Sequence, residues 1–242
     1  MNEATPGRLA GPSSALSLFT IVGPGAPPVP AALPWFGVVG WVLGLALGGI
    51  WIGLDEFFPP LVVAAAIVAA DLTLTGMLHF DGLADTGDSM IAPMSRETRL
   101  RVMTASDVGA FGVGLVLGVM LLRFAALASL EPDPWLLASA WATGRAFAAL
   151  VLQSRPYGSD GDLAAAFRGG PRTPLLVGLL VLAVGSAAVS GVQALLAVAI
   201  GVLVGVLVIR RSERLIGGFT GDLLGASIIL VETTALVAAT AS

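Results

Sequence analysis

Long apolar stretches separated by short polar ones dominate the chain, and their lengths predict membrane-crossing helices rather than the alternation of half-buried strands. Runs near the roughly 17–25 residues that cross a bilayer fall at Leu33–Leu54, Pro60–Leu78, Ala110–Leu130, Pro134–Leu152, Pro174–Val192, Gln193–Ile209 and Leu223–Thr240. The fifth and sixth abut, so a short turn is expected near Ser190-Gly191. Leu16–Val22 is too short to cross and is expected at the interface, ahead of a Pro- and Gly-rich lead-in over Gly23–Pro34. In the first span, Gly40, Gly44 and Gly48 share one helical face, a pattern of close helix packing. The expectation is an all-α polytopic membrane bundle of about seven transmembrane helices, forming a single domain over residues 1–242.

Composition agrees with that pattern. Of 242 residues, 56% are hydrophobic and only 12% charged, with mean hydropathy +0.93. The absence of cysteine excludes disulfides and thiolate metal sites. A net charge of −4 and a pI near 4.9 argue against nucleic acid as a partner. Met1–Thr20 lacks a continuous apolar core with a cleavage site, so no secretory signal is expected.

Charge placement adds orientation. There is no lysine, and Arg8, Arg96, Arg99, Arg101, Arg155, Arg168, Arg172, Arg210, Arg211 and Arg214 all fall in connections on one side of a seven-span chain. The opposite connections carry only Asp55, Glu56, Glu131 and Asp133. By the positive-inside rule the N-terminus is cytoplasmic and the C-terminus outside. Asp81–Gly109 and Gln153–Thr173 are then the longest connections, both expected as cytoplasmic loops, and function is expected on that face.

The candidate chemistry begins in the stretch from His79 to Asp88. Read as a helix, Asp81, Asp85 and Asp88 stand at i, i+4 and i+7 on one face. No lysine or arginine lies among them to offset their repulsion, so the arrangement suits a hard divalent cation, Mg²⁺ or Mn²⁺, and with it phosphate chemistry. The plainer alternative is a solvated acidic helix end. His79, the single histidine, is either a satisfied structural group or a substrate contact. Asp71, Arg123, Arg145 and Glu232 lie inside apolar runs, where each charge must face the bundle interior or snorkel. An Asp71–Arg145 pair is one arrangement, Arg145 is open to a site role or a structural ion pair, and Arg123 is expected to be structural or snorkelling. Finally, Gly217-Gly218-Phe219-Thr220-Gly221-Asp222 offers a tight turn before the last span, with Thr220 or Asp222 as N-cap.

Taken together, His79-x-Asp81-Gly82-Leu83-Ala84-Asp85-Thr86-x-Asp88, Gly217-Gly218-x-Thr220-Gly221-Asp222-x-x-Gly225-Ala226 and Glu232 resemble the cobalamin synthase family, the adenosylcobinamide-GDP ribazoletransferases. Weaker similarity runs through Gly37-x-x-Gly40-x-x-x-Gly44, Met103-x-x-Ser106-x-x-Gly109-x-x-Gly112 and Arg155-Pro156-Tyr157. The resemblance implies an enzyme of the bacterial cytoplasmic (inner) membrane, with its site on the cytoplasmic face. Its partners would be adenosylcobinamide-GDP, α-ribazole or its 5′-phosphate, and the lipid bilayer, with homo-oligomerisation left open. Mg²⁺ is the implied cofactor, held by Asp81, Asp85 and Asp88. His79 joins these three as a candidate catalytic group. Arg99, Arg101 and Arg155 would reach the diphosphate, and Ser106, Arg145, Thr220, Asp222 and Glu232 complete the substrate-binding set. The chain departs from the family where Met-x-Asp-Ser-Arg is usual, having Ala105 and Asp107 in place of the Asp and the Arg. A membrane phosphotransferase acting on a CDP-activated alcohol is the alternative, although its Asp-Gly and Ala-Arg signature is not met at Ala84-Asp85. A transporter using Asp71, Arg145 and Glu232 is a further one, but no internal repeat supports it.

Overall fold

Helices account for nearly all of the regular structure in the computed structural model, which describes residues 9–158, 163–167 and 173–241, with side chains described except at 163, 164 and 173–188. The order is α1 (Ala10–Phe19), a 3₁₀ turn (Pro30–Trp35), α2 (Phe36–Asp55), α3 (Pro60–Leu74), α4 (Leu78–Met90) and α5 (Arg96–Met103). Then follow α6 (Ala110–Ser129), α7 (Pro134–Ser154), the single turn α8 (Leu163–Ala166), α9 (Thr173–Ile216) and α10 (Gly221–Ala239).

Five described stretches are long and apolar enough to cross a membrane: Pro30–Asp55, Ala110–Ser129, Pro134–Ser154, Val189–Ile216 and Gly221–Ala239. The bent pair α3 and α4 makes a sixth if counted as one span. The expected span Pro174–Val192 falls largely on residues whose side chains lie outside the described set, as do Arg8, Arg168 and Arg172. Helix α9 breaks at Gly191, whose φ of 82° and ψ of −179° are non-helical, so the interruption comes where the abutting apolar runs required one.

Two expectations are corrected. The second span was drawn to Leu78, but α3 stops at Leu74 and the chain turns by 95° into α4. Gly76 and Met77 make the corner with consecutive positive φ values of 60° and 58°. This is unstrained for glycine but unusual for methionine. At ~1.5 Å per residue, fifteen residues of α3 reach about 22 Å, short of the ~30 Å hydrocarbon thickness. The connection expected as a loop over Asp81–Gly109 is largely helical: α4 is the helix on which the three aspartates share a face, and α5 adds a second.

Helix α7, the most enclosed of the spans, is the axis. It packs on α2, α9 and α10, while α10 also packs on α4 and α6. The glycine face of α2 makes the closest approach. Gly40 rests on the backbone of Trp141 and Ala142, Gly44 on that of Leu137 and Ala138, and Gly48 on Pro134. The two helices therefore run antiparallel, and the start of α2 lies at the same end as the close of α7. Local caps set the helix starts: Asp133 accepts from the Trp135 and Leu136 amides at 2.9 and 3.0 Å, and Thr220 from Leu223 at 3.4 Å.

The arginine-bearing connections meet at that end of the bundle. Arg96 donates to the Ile216 carbonyl at 2.8 Å and the Gly158 carbonyl at 3.4 Å. Arg211 donates to Met90 O at 2.9 Å, and Arg155 pairs with Glu213 at 3.4 Å.

A β-carbon on Gly44 would stand 2.5 Å from the Ala138 Cα, whereas one on Gly49 would meet open space. Gly44→Val should thus lower stability by about 3 kcal/mol, the upper end of the overpacking range. Gly49→Val should change it by less than about 0.5 kcal/mol. Thermal unfolding in detergent checks this, and equal melting temperatures for the two variants would refute the packing argument.

Candidate active site

Helix α4 crosses the end of the bundle, turned away from α3, with an apolar underside and an acidic outer face. Leu83 and Ala84 pack against Val116, Val119, Ala226 and Ile229 of α6 and α10. Gly82 allows backbone contact with α10, since a β-carbon there would lie 2.7 Å from the Asp222 carbonyl oxygen. That contact brings Asp222 into the same field as Asp81, Asp85 and Asp88. Partial burial, then repulsion from Asp222, Asp81 and Asp88, pushes the Asp85 carboxyl up to about 6. No arginine pairs with Asp81, Asp85 or Asp222 among the described residues.

Asp88 sits differently. Its Oδ2 accepts from the Gly109 amide at 2.6 Å and its Oδ1 from the Gly112 amide at 2.9 Å, so it caps α6 from another helix. Among the described residues no three acidic or imidazole groups converge into a ready-made metal cage.

The expected arginines divide. Arg99 is buried and donates to the Ser89 carbonyl, tying α5 to the end of α4. Arg101 is exposed and donates to Thr98 Oγ1 at 3.5 Å. Arg155 is exposed beside Glu213. Ser106 lies in an exposed stretch with Ala105 and Asp107. Thr220 caps α10 and touches the Met103 sulfur at 3.7 Å.

Arg145 and Glu232 belong to a buried ionic chain rather than to the acidic face. Arg123 reaches Asp71 Oδ2 at 2.5 Å and Glu232 Oε2 at 2.9 Å, and Arg145 reaches Glu232 Oε1 at 2.5 Å. The expected Asp71–Arg145 pair is therefore replaced by Asp71–Arg123, and Arg123 does not snorkel. Trp141 Nε1 donates to Asp71 Oδ1 at 2.9 Å, and Thr233 Oγ1 accepts from Arg123 Nε at 2.9 Å. The Arg123 guanidinium also lies 4.9 Å from the Trp141 ring centroid.

His79 stands between the two systems. It packs on Gly225 and lies 5.6 Å from the Phe19 ring. Burial, then the Arg145 and Arg123 charges, pull its pKa down to about 3, so the imidazole is neutral. It lines an apolar cleft of about 160 Å³ together with Phe19, Phe36, Leu152, Phe167 and Asp222.

Sequence reasoning missed Trp141 and Thr233, which are polar only at one atom within apolar runs. It also missed Arg96 and Arg211 as braces of the loops, for which their common side was the one available signal. Phe19 was passed over because a short interfacial stretch carried no chemistry.

An α-helical integral-membrane bundle, with carboxylates unpaired among the described residues and an apolar cleft at one end, is the class that fold and site define. The chain belongs to the cobalamin synthase family: the cobalamin-5-phosphate synthase family matches it over residues 12–240. It is 33% identical over 245 residues to an adenosylcobinamide-GDP ribazoletransferase of Roseiflexus sp. (strain RS-1), covering 98% of this chain and 91% of that one. It is 34% identical over 213 residues to the enzyme of that name from Desulfitobacterium hafniense (strain Y51), covering 82% and 83%. For the one from Azorhizobium caulinodans the identity is 37% over 211 residues, covering 83% and 80%. No solved structure matches the chain.

Two predictions follow from the electrostatics. Arg123→Met leaves Asp71 and Glu232 with one cation between them and should cost about 3–5 kcal/mol. Adding Asp71→Asn restores charge balance and should recover part of the loss, as thermal unfolding of both variants would show. The second concerns pH. Folded Asp85 keeps its proton up to about 6 against an ordinary 3.8, so the folded chain binds more protons across that window. Stability therefore falls as pH rises through it. With divalent cations chelated, the melting temperature should decline over that range, and Asp85→Asn should flatten the profile. A profile indifferent to the substitution would contradict the assignment.

Proposed function

We propose that this chain is an adenosylcobinamide-GDP ribazoletransferase, joining adenosylcobinamide-GDP to α-ribazole or its 5′-phosphate with release of GMP. The observation that carries the reading is the unpaired acidic face of α4 and Asp222, in a chain whose relatives bear that name. The ribazole 3′-hydroxyl attacks the cobinamide-bearing phosphorus, the bond to the GMP oxygen breaks, and the hydroxyl proton is lost. Such a transfer asks the protein mainly for positioning and charge neutralisation.

Mg²⁺ fits a donor set of carboxylate oxygens with no counter-charge among the described residues, and when bound it would supply the positive charge that the diphosphate needs. Asp81, Asp85 and Asp222 are the side chains to hold it. Asp88 shares their face while its oxygens brace α6. Arg101 and Arg155 remain exposed at the same end and are two cations able to meet the diphosphate. Arg99, Arg145 and Glu232 position the helices from inside. The arginine pattern supports a cytoplasmic position for this end, in a protein of the bacterial cytoplasmic membrane.

The test is GMP release by the purified protein in lipid, given both substrates, with and without Mg²⁺. Asp81→Asn, which removes charge at an exposed position, should lower turnover by at least about 100-fold while leaving the melting temperature near that of the parent. Undiminished, metal-independent turnover would overturn the assignment of the acidic face.

A further inference from the structure

We propose that the cleft beside His79 seats the flat aromatic base of the nucleoside acceptor, an inference that rests on the ribazoletransferase reading and assigns a place to one of its two substrates. The cleft opens between α1, the start of α2, the N-terminal turn of α4, the close of α7, Phe167 and the first turns of α10. Its walls are aromatic. Phe19 and Phe36 meet edge to face at 4.6 Å and 89°, and Phe36 and Phe167 at 5.5 Å and 83°. Rings held at right angles brace one another as walls, and aromatic walls favour a flat aromatic guest.

Size selects among the reactants. An apolar cavity of ~150 Å³ holds benzene, so about 160 Å³ admits one flat ring system and excludes a corrinoid or a whole guanosine diphosphate. Polarity selects further. His79 is only 6% exposed, and its ring lines the cleft. An imidazole on that wall offers ring nitrogens to a guest in an otherwise apolar cleft, and the nitrogen of a heteroaromatic base would pair with one of them. Asp222, the other charged or hydrogen-bonding side chain on the cleft wall, belongs also to the acidic cluster. A base in the cleft therefore delivers its attached ribose towards those carboxylates, where the hydroxyl must react.

Two half-buried residues reach the cleft from different helices, Leu18 from α1 and Leu152 from α7. Leu18→Trp and Leu152→Trp each fill it, so the loss of one variant to misfolding leaves the other. In each folded variant KM for α-ribazole should rise at least tenfold, while KM for adenosylcobinamide-GDP stays within twofold. Equilibrium binding of the free base of α-ribazole, measured by calorimetry without the second substrate, should be lost. Base binding by the parent that both variants lose supports the site even if GMP is never released, a result that would defeat the reaction alone. Turnover with unchanged base binding and unchanged ribazole KM in both variants overturns the site and leaves the reaction standing. A rise in KM for adenosylcobinamide-GDP instead would assign the cleft to guanine and overturn the proposal.

Discussion

Two guanidiniums and two carboxylates share the interior of this bundle, and the rest of the architecture answers to their pairing. An unpaired charge among apolar helices is costly by several kcal/mol, and removing one partner of a buried pair leaves that cost exposed. Arg123 and Arg145 are each about 1% exposed, and Asp71 and Glu232 are 6% and 2% exposed. Their chain of contacts runs through α3, α6, α10 and α7, so four helices are held at fixed rotation and height. Dispersion packing alone would let such helices slide; an ionic chain with Trp141 and Thr233 on its flanks does not.

The same chain sets the acidic site indirectly. Asp71 anchors α3 one turn before its end, and the corner at Gly76-Met77 then launches α4 across the bundle. Glu232 fixes α10, which carries Asp222 at its beginning. Asp88 bolts α4 to the start of α6, and Arg99 bolts α5 to its end. The carboxylates at the surface thus stand on a frame whose own charges are balanced within. This leaves Asp81, Asp85 and Asp222 uncompensated among the described residues.

Features that depend on spacing along one helix were legible in the sequence. The i, i+4, i+7 aspartates do share a face of α4, the glycines of α2 do meet a neighbouring backbone, and the chain does break at Gly191. Features that depend on which helix lies beside which were not. Spacing along α3 does not choose between Arg123 and Arg145 as the partner of Asp71; the placement of α6 and α7 does. Asp88 looks like its two neighbours until the N-terminus of α6 arrives beside it. α4 docks through a narrow apolar underside of Leu83 and Ala84, and nothing in its own spacing names α6 and α10 as the helices beneath it. Asp222 joined the cluster through Gly82, a contact between residues far apart in sequence.

The ionic chain also has a direction in time. Asp71 is the first of its members to leave the ribosome, and every partner it needs lies downstream, with Glu232 on the last helix. Until α10 arrives, the growing chain holds one carboxylate against two guanidiniums, a surplus positive charge among apolar helices. Asp81 and Asp85 meanwhile stand on α4 without Asp222. Insertion of the final span therefore closes the charge balance of the interior and assembles the acidic site in one event, so a stalled or shortened chain has neither.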